Sequence, residues 1–261
     1  MLEEIVARRR EDLEIQRQKE PEEQLRERLP TCFPISLLQS LQRDDINIIA
    51  EIKLKSPSRR TFPERLSFEE RVAAYSENGA CALSILTEER FFDGKLDFLD
   101  RAAASGTSLP LLRKDFILDR YQILEAAVHQ ASAYLLIVSC LDGQLLEDLI
   151  ECGKSLGLDA LVEVHSPREL DTALEKGALL LGVNNRDLKT FDVSLQTSFD
   201  IARRVEGQRG LTLVAESGIS EYAQIAELKD AGFQAFLIGT QLMEAHDPGL
   251  ELRILLGEES P

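Results

Sequence analysis

The chain has 261 residues, 44% of them apolar and 29% charged, and a formal net charge of −16. That is a soluble, globular composition with length enough for a full core, in one large α/β domain or two small ones. The acidic balance disfavours a general nucleic-acid binder, and no run approaches the roughly 20 apolar residues of a membrane span, so neither nucleic acid nor membrane is an expected partner.

The chain starts Met1-Leu2-Glu3-Glu4, acidic at once and without an apolar signal core, which gives a cytoplasmic expectation. Leu2, Ile5, Val6 and Leu13 then form a weak apolar stripe on a heavily charged helix. Pro21 interrupts it, and Leu25 to Leu29 suggest a second short helix before Pro30. Residues 1–45 therefore read as a helical extension. It is either a solvated cap over one end of the fold or a lid near a substrate, and the sequence leaves both open.

From about residue 46 short apolar runs alternate with helical patterns. The runs lie near 46–54, 81–87, 109–115, 133–139, 159–165, 178–185, 211–217 and 234–240. They are apolar on both faces, as strands of a covered parallel sheet must be. Ser67 with Glu70 predicts a capping box, and Ser166-Pro167 with Glu169 a second one. Gly79, Gly177 and Gly232 sit where helices must stop, and Ser220 is the expected cap of a helix running to about Ala231. Eight such units predict a (β/α)₈ TIM barrel over 46–261. An open doubly wound sheet would show a Gly-rich turn after its first strand, and none is present. No Pro/Gly/Ser-rich linker divides the chain, so residues 1–261 read as one domain.

The first strand ends in an oddity. Side chains alternate along a strand, so Glu51, Lys53 and Lys55 share one face and Ala50, Ile52 and Leu54 the other. Burying charge is costly unless it is paired. Barrel enzymes place their chemistry at the C-terminal strand ends. Here those ends carry Arg113-Lys114-Asp115, Glu163 and His165, Asn184-Asn185-Arg186-Asp187, Glu216-Ser217-Gly218 and Gly239-Thr240. Lys53, Lys114, Glu51 and Glu163 would share one partly dry mouth, where their fields tune them for acid and base work. Ser217-Gly218 and Gly239-Thr240 offer backbone N–H groups for a phosphate, in the usual place for this fold. The cysteines (Cys32, Cys81, Cys140, Cys152) are scattered, and read as reduced thiols. The histidines (His129, His165, His246) lack metal-ligand spacing. The residues alone thus predict an enzyme of a phosphorylated small molecule with paired Lys/Glu groups and no metal.

Several longer motifs then resemble one family. Glu51-Ile-Lys-Leu-Lys-Ser-Pro-Ser58, Ser84-Ile-Leu-Thr-Glu-Glu89 with Phe91-Phe92-Asp93-Gly94, and Arg113-Lys-Asp-Phe116 are similar to indole-3-glycerol phosphate synthase. So are Leu161-Val-Glu-Val164, Gly182-Val-Asn-Asn-Arg-Asp-Leu188, Ala215-Glu-Ser-Gly-Ile219 and Phe236-Leu-Ile-Gly-Thr240. The match spans the barrel in order. It implies ring closure of 1-(2-carboxyphenylamino)-1-deoxyribulose 5-phosphate to indole-3-glycerol phosphate, carbon dioxide and water, in tryptophan biosynthesis. No cofactor is expected.

The resemblance also implies roles. Lys114 looks like the general acid on the ribulose carbonyl, and Glu163 like its partner carboxylate. Lys53 would hold substrate anions and is a candidate acid in dehydration, a step whose division among Lys53, Glu51 and Glu163 stays open. Glu51, Asn184 and Glu216 would orient the lysines and the substrate. Arg186 and Ser56 would neighbour the substrate carboxylate. Phe92, Phe116, Leu135 and Ile137 would bed the anthranilate ring, and Ser217, Gly218, Gly239 and Thr240 would cradle the phosphate.

Two departures stand out. Arg59-Arg60-Thr61 replaces a glycine common in relatives, which leaves the mobility of that loop as a lid open, and the chain has no Trp. A sister barrel, phosphoribosylanthranilate isomerase, would use a Cys/Asp pair that is not found. An inactive binding module would have lost at least one of Glu51, Lys53, Lys114 and Glu163, yet all are present. With no appended domain visible, a monomer without a fused pathway partner is expected.

Overall fold

The computed structural model describes residues 1–32, 34–56, 61–63, 65–187 and 190–259. Eight strands close into a parallel barrel in sequence order. They are β1 (Asn47–Ile52), β2 (Ala82–Leu86), β3 (Leu111–Lys114), β4 (Ala133–Ile137), β5 (Asp159–Val164), β6 (Leu180–Asn184), β7 (Thr212–Glu216) and β8 (Ala235–Ile238). Every predicted run contains one strand.

Alternation along these strands builds two apolar layers. Ile48, Ala50 and Ile52 of β1 face outward into the layer beneath the helices, with Leu83, Leu136, Val162, Leu181 and Phe236. Ile49 faces inward with Leu112, Leu135, Leu161, Val214 and Leu237, which fill the barrel. Full burial of one such side chain contributes about 1.5–3 kcal/mol. The short helix α3 (Leu37–Ser40) closes the N-terminal end by adding Leu37 and Leu41 to this inner cluster. It is tied there by Ser36 Oγ and the Leu38 N–H, both donating to Asp159 at the start of β5.

Register then decides the mouth. Glu51 lies beside Ser84, Ile137 beside Glu163, and Asn184 beside Glu216. Inward-facing positions that are apolar deep in the barrel become charged where the strands end.

The helix punctuation follows the sequence with two differences. The Ser67–Glu70 capping box forms, and Gly79, Gly177 and Gly232 take the left-handed conformation after their helices. At the helix Pro167–Glu175 only half of the predicted box forms: Ser166 Oγ accepts from the Glu169 N–H. The Glu169 carboxylate accepts instead from the N–H of His165, one residue earlier. At the helix Tyr222–Asp230 the cap is Glu221, not Ser220. Gln224 Oε1 accepts the N–H groups of both residues, so Ser220 is drawn into the motif one position outside the cap.

The extension forms α1 (Leu2–Lys19) and α2 (Glu22–Glu27), with Pro21 capping the second. The buried face of α1 is Ile5, Arg9 and Leu13, one residue per turn. Leu13 packs with Leu25, Leu118, Tyr121 and Leu124 beside β3. Arg9 donates to Asp115, just past β3, at 2.8 Å. This fixes α1 across the C-terminal end of the barrel. Among the described residues no helix is long and apolar enough to cross a membrane.

Candidate active site

A cavity of about 380 Å³ opens at the C-terminal strand ends. All sixteen residues expected from the sequence line it: Glu51, Lys53, Ser56, Phe92, Lys114, Phe116, Leu135, Ile137, Glu163, Asn184, Arg186, Glu216, Ser217, Gly218, Gly239 and Thr240. Lys55 does not; it points to Asp93 at 3.5 Å on the surface. The ends of two motifs, Pro57-Ser58 and Leu188, and the loop residues Arg59 and Arg60 lie outside the described residues.

The charged floor has two centres. In the first, Lys114 Nζ donates to Glu163 Oε2 at 3.2 Å and, by a shorter bond, to Glu216 Oε2. Glu163 Oε1 accepts from Asn184 Nδ2 at 3.2 Å. In the second, Lys53 Nζ donates to Glu51 Oε1 at 2.7 Å and stands 5.7 Å from the centre of the Phe62 ring. Two glycines make this density of charge possible. A Cβ on Gly182 would lie 2.2 Å from Glu216 Oε1, and one on Gly239 would lie 2.3 Å from Glu51 Oε1. Both carboxylates occupy space that a side chain would fill.

Burial and mutual fields set the protonation states. Desolvation opposes the Lys114 ammonium, but the attraction of Glu216, Glu163 and Glu51 outweighs it and holds the group above its ordinary value. Desolvation likewise opposes the Glu163 carboxylate, yet Lys114, His165 and Asn184 hold it well below the carboxylate range. Glu216 goes the other way: burial and repulsion from Glu163 outweigh Lys114 and push it up to about 7. Its Oε1 is buried with no hydrogen-bond partner among the described residues. The two carboxylates around Lys114 are thus split, one firmly ionised and one poised to take a proton, as acid–base pairs are.

The apolar wall has its own supports. Phe92 ends the short helix Glu89–Phe92. The Glu88 carboxylate holds that helix by accepting the N–H groups of Arg90, Phe91 and Phe92. Phe92 and Phe116 stand 6.1 Å apart at 41°, a tilted aromatic pair above Leu135 and Ile137. Arg186 is tethered at the rim, its Nη1 donating to the Phe191 carbonyl and its N–H to Asn184 Oδ1.

At the opposite side Ser217 (φ +66°) and Gly218 (φ +81°) are both left-handed. For Ser217 that conformation is strained, and surrounding contacts must hold it. Asn185 is one of them, its Nδ2 donating to the Ser217 carbonyl while its Oδ1 accepts from the N–H and Oγ of Ser198. Gly239 and Thr240 complete this corner.

The sequence reading missed part of the lining. Met1, and Leu2 and Ile5 of α1, line the cavity. Leu86, Phe191 and Leu237 add apolar surface. Asp115 anchors the wall from behind, accepting from Arg9, from Arg113 at 3.0 Å and from Thr87 at 2.7 Å. Arg113 is fully buried in that network, so of the strand-three charges only Lys114 presents its ammonium to the floor.

A family model described as indole-3-glycerol phosphate synthase matches residues 2–255. The chain is 43% identical to the indole-3-glycerol phosphate synthase of Carboxydothermus hydrogenoformans over 98% of its length and 99% of that protein's. It is 43% identical to that of Syntrophobacter fumaroxidans, over 97% and 96%. Among solved structures, a 3-hexulose-6-phosphate synthase superposes with a TM-score of 0.64 at 13% identity, covering 82% of this chain and all of the other. That likeness concerns the fold alone.

Proposed function

As this chain belongs to the indole-3-glycerol phosphate synthase family, we propose that Lys114, gripped between Glu163 and Glu216, is the proton donor of its ring-closing reaction. The enzyme is a carboxy-lyase. It converts phosphorylated 1-(2-carboxyphenylamino)-1-deoxyribulose 5-phosphate to indole-3-glycerol phosphate, with loss of carbon dioxide and water.

The observation that carries the assignment is the position of Lys114 Nζ at the cavity floor with two carboxylate partners of unlike protonation. Attack of a ring carbon on the ribulose carbonyl places charge on the carbonyl oxygen, and an ammonium there delivers a proton as that charge develops. The raised pKa of Lys114 keeps it an ammonium at neutral pH, which suits an acid and not an amine nucleophile. Glu163 stays ionised and takes the partner role in the acid–base steps. Glu216, close to half-protonated near neutrality, orients Lys114 and takes up the charge change when the lysine loses its proton.

Phe92, Phe116, Leu135 and Ile137 hold the anthranilate ring flat for attack. Arg186 and Ser56 face its carboxylate, and Lys53, kept in place by Glu51, supports the anionic end of the substrate and serves the dehydration. Ser217, Gly218, Gly239 and Thr240 receive the phosphate. In a chain of net charge −16, Lys53, Lys114 and Arg186 bring three cations to the cavity and supply the local attraction that an anionic substrate needs. In this reading the enzyme works as a monomer in the cytoplasm, where its four scattered thiols stay reduced.

The chain has no Trp, so product formation is read directly as indole fluorescence over a tyrosine background. The wild-type protein is expected to develop that signal with one carbon dioxide released per product. No signal with this substrate would sink the assignment.

A further inference from the structure

One largely buried ionisable group lies behind the floor and outside the cavity lining. β5 continues Glu163-Val164-His165, and alternation puts Glu163 and His165 on the same face. The His165 side chain is 12% exposed. The helix that follows supplies its partner. Glu169 Oε2 accepts the His165 backbone N–H at 2.8 Å and stands 3.1 Å from the ring Nδ1. This is why the capping box at Ser166 is only half formed: its carboxylate is spent on His165. A single oxygen gripping both backbone and ring leaves the imidazole little freedom. It turns Nε2 toward Glu163 Oε1, 3.2 Å away, at ion-pair distance though off the line of a hydrogen bond.

We propose that His165, clamped by Glu169, is a positioning residue that keeps Glu163 ionised and in place while Lys114 gives up its proton. The inference rests on the assignment of Lys114 as proton donor. Charge balance supplies the reason. Lys114 is the cation that Glu163 shares with Glu216. Once that proton has moved to substrate, Glu163 would face Glu216 across a neutral amine, with no charged donor left, only the uncharged N–H groups of Lys114 and Asn184. Two carboxylates so placed share a proton. A second cation on the far side of Glu163 directs that proton to Glu216 and leaves Glu163 ionised, and His165 is the group in position. Among the described residues its two charged contacts both favour the charged ring: Glu163 on its own strand and Glu169 on the next helix. Cys140, on the turn after β4, lies in the field of both carboxylates and stays a neutral thiol, pushed up to about 12 by burial. Desolvation opposes the imidazolium, but the two carboxylates outweigh it and push the ring up to about 10.

The test has two arms. Only three histidines are present, so their imidazole signals are separable by NMR, with His165→Asn assigning one. In the wild type the His165 ring is expected to stay doubly protonated above pH 8, and in Glu169→Gln to titrate at a lower pH. If the His165 ring titrates near the ordinary value of about 6.5, the proposal is overturned. The second arm is the pH profile of kcat. In His165→Asn the acidic limb is expected to move up by about one unit or more, so that kcat at a given pH on that limb is about tenfold lower. KM should stay within about threefold, since no contact to substrate is lost. Glu169→Gln should move the limb the same way by less. A merely structural residue would lower activity without moving the limb, and that result would also overturn the proposal. Absence of wild-type turnover would instead defeat the assignment beneath it, while the NMR arm still decides the clamp.

Discussion

Lys114→Met removes the ammonium and keeps most of the side-chain volume, so it separates chemistry from packing. Loss of a positioned general acid lowers rate by about 10²–10⁴. Because Lys114 also organises Glu163 and Glu216, kcat is expected to fall by about a thousandfold or more, equivalent to about 4 kcal/mol. Stability should change far less. Removing one member of a buried ion pair costs about 3–5 kcal/mol when the other charge is left bare. Here Glu216 is already pushed up to about 7 and accepts a proton in the variant, which reduces the cost at pH 7 to about 1–3 kcal/mol. The sign with pH follows. Without Lys114 the Glu216 carboxyl has a folded-state pKa above the unfolded value of about 4.3, so the folded state binds more protons. Stability relative to wild type is therefore nearly retained at pH 5 and declines as pH rises toward 8. Indole fluorescence gives kcat, and urea unfolding followed by circular dichroism gives stability. A folded variant with kcat within about tenfold of wild type would refute the role of Lys114. A stability difference independent of pH would refute the account of Glu216 as the partner that takes up a proton.

Gly239→Ala should reduce turnover strongly, because the new Cβ would meet Glu51 Oε1 at 2.3 Å and Lys53 Nζ at 2.9 Å. Gly239 has no left-handed backbone, so the effect is steric, with a stability cost of about 1–3 kcal/mol, and unchanged kcat and KM would show that the Glu51–Lys53 pair tolerates displacement. Arg9→Met should destabilise by about 3–5 kcal/mol in urea unfolding at pH 7, since it leaves Asp115 buried with one fewer cation. Burial opposes the Asp115 carboxylate, but Arg9 and Arg113 hold it below its ordinary value. The stability they confer is thus full above about pH 5 and lost as pH falls through the folded value, so the gap between variant and wild type should narrow in acid. A gap of under about 1 kcal/mol at pH 7 would mean that α1 is held by its apolar contacts alone.

The barrel was legible in the chain because parallel strands covered on both faces leave continuous apolar runs, and stretches such as Ile48 to Ala50 or Leu179 to Val183 have few other readings between helix stops and caps. The floor was legible for the opposite reason: Glu51, Lys114, Glu163 and Glu216 interrupt apolar strands where stability alone would not put charge. What escaped depended on partners distant in sequence. Arg9 occupies the central position of the buried stripe of α1, and a charged residue there weakens the very pattern that marks a docked helix. Its reason for burial, Asp115, lies 106 residues away. Phe191 reaches the cavity from a loop with no periodicity to read. Glu169 fits the capping pattern, and only the structure shows its carboxylate turned back to His165.

The assignment of the site is tested most directly by a crystal structure with indole-3-glycerol phosphate bound. The account predicts the phosphate against the backbone of Ser217, Gly218, Gly239 and Thr240, the indole between Phe92 and Phe116, and Lys114 Nζ within hydrogen-bond reach of the product. A phosphate bound elsewhere, or an indole ring out of reach of Lys114, would contradict it.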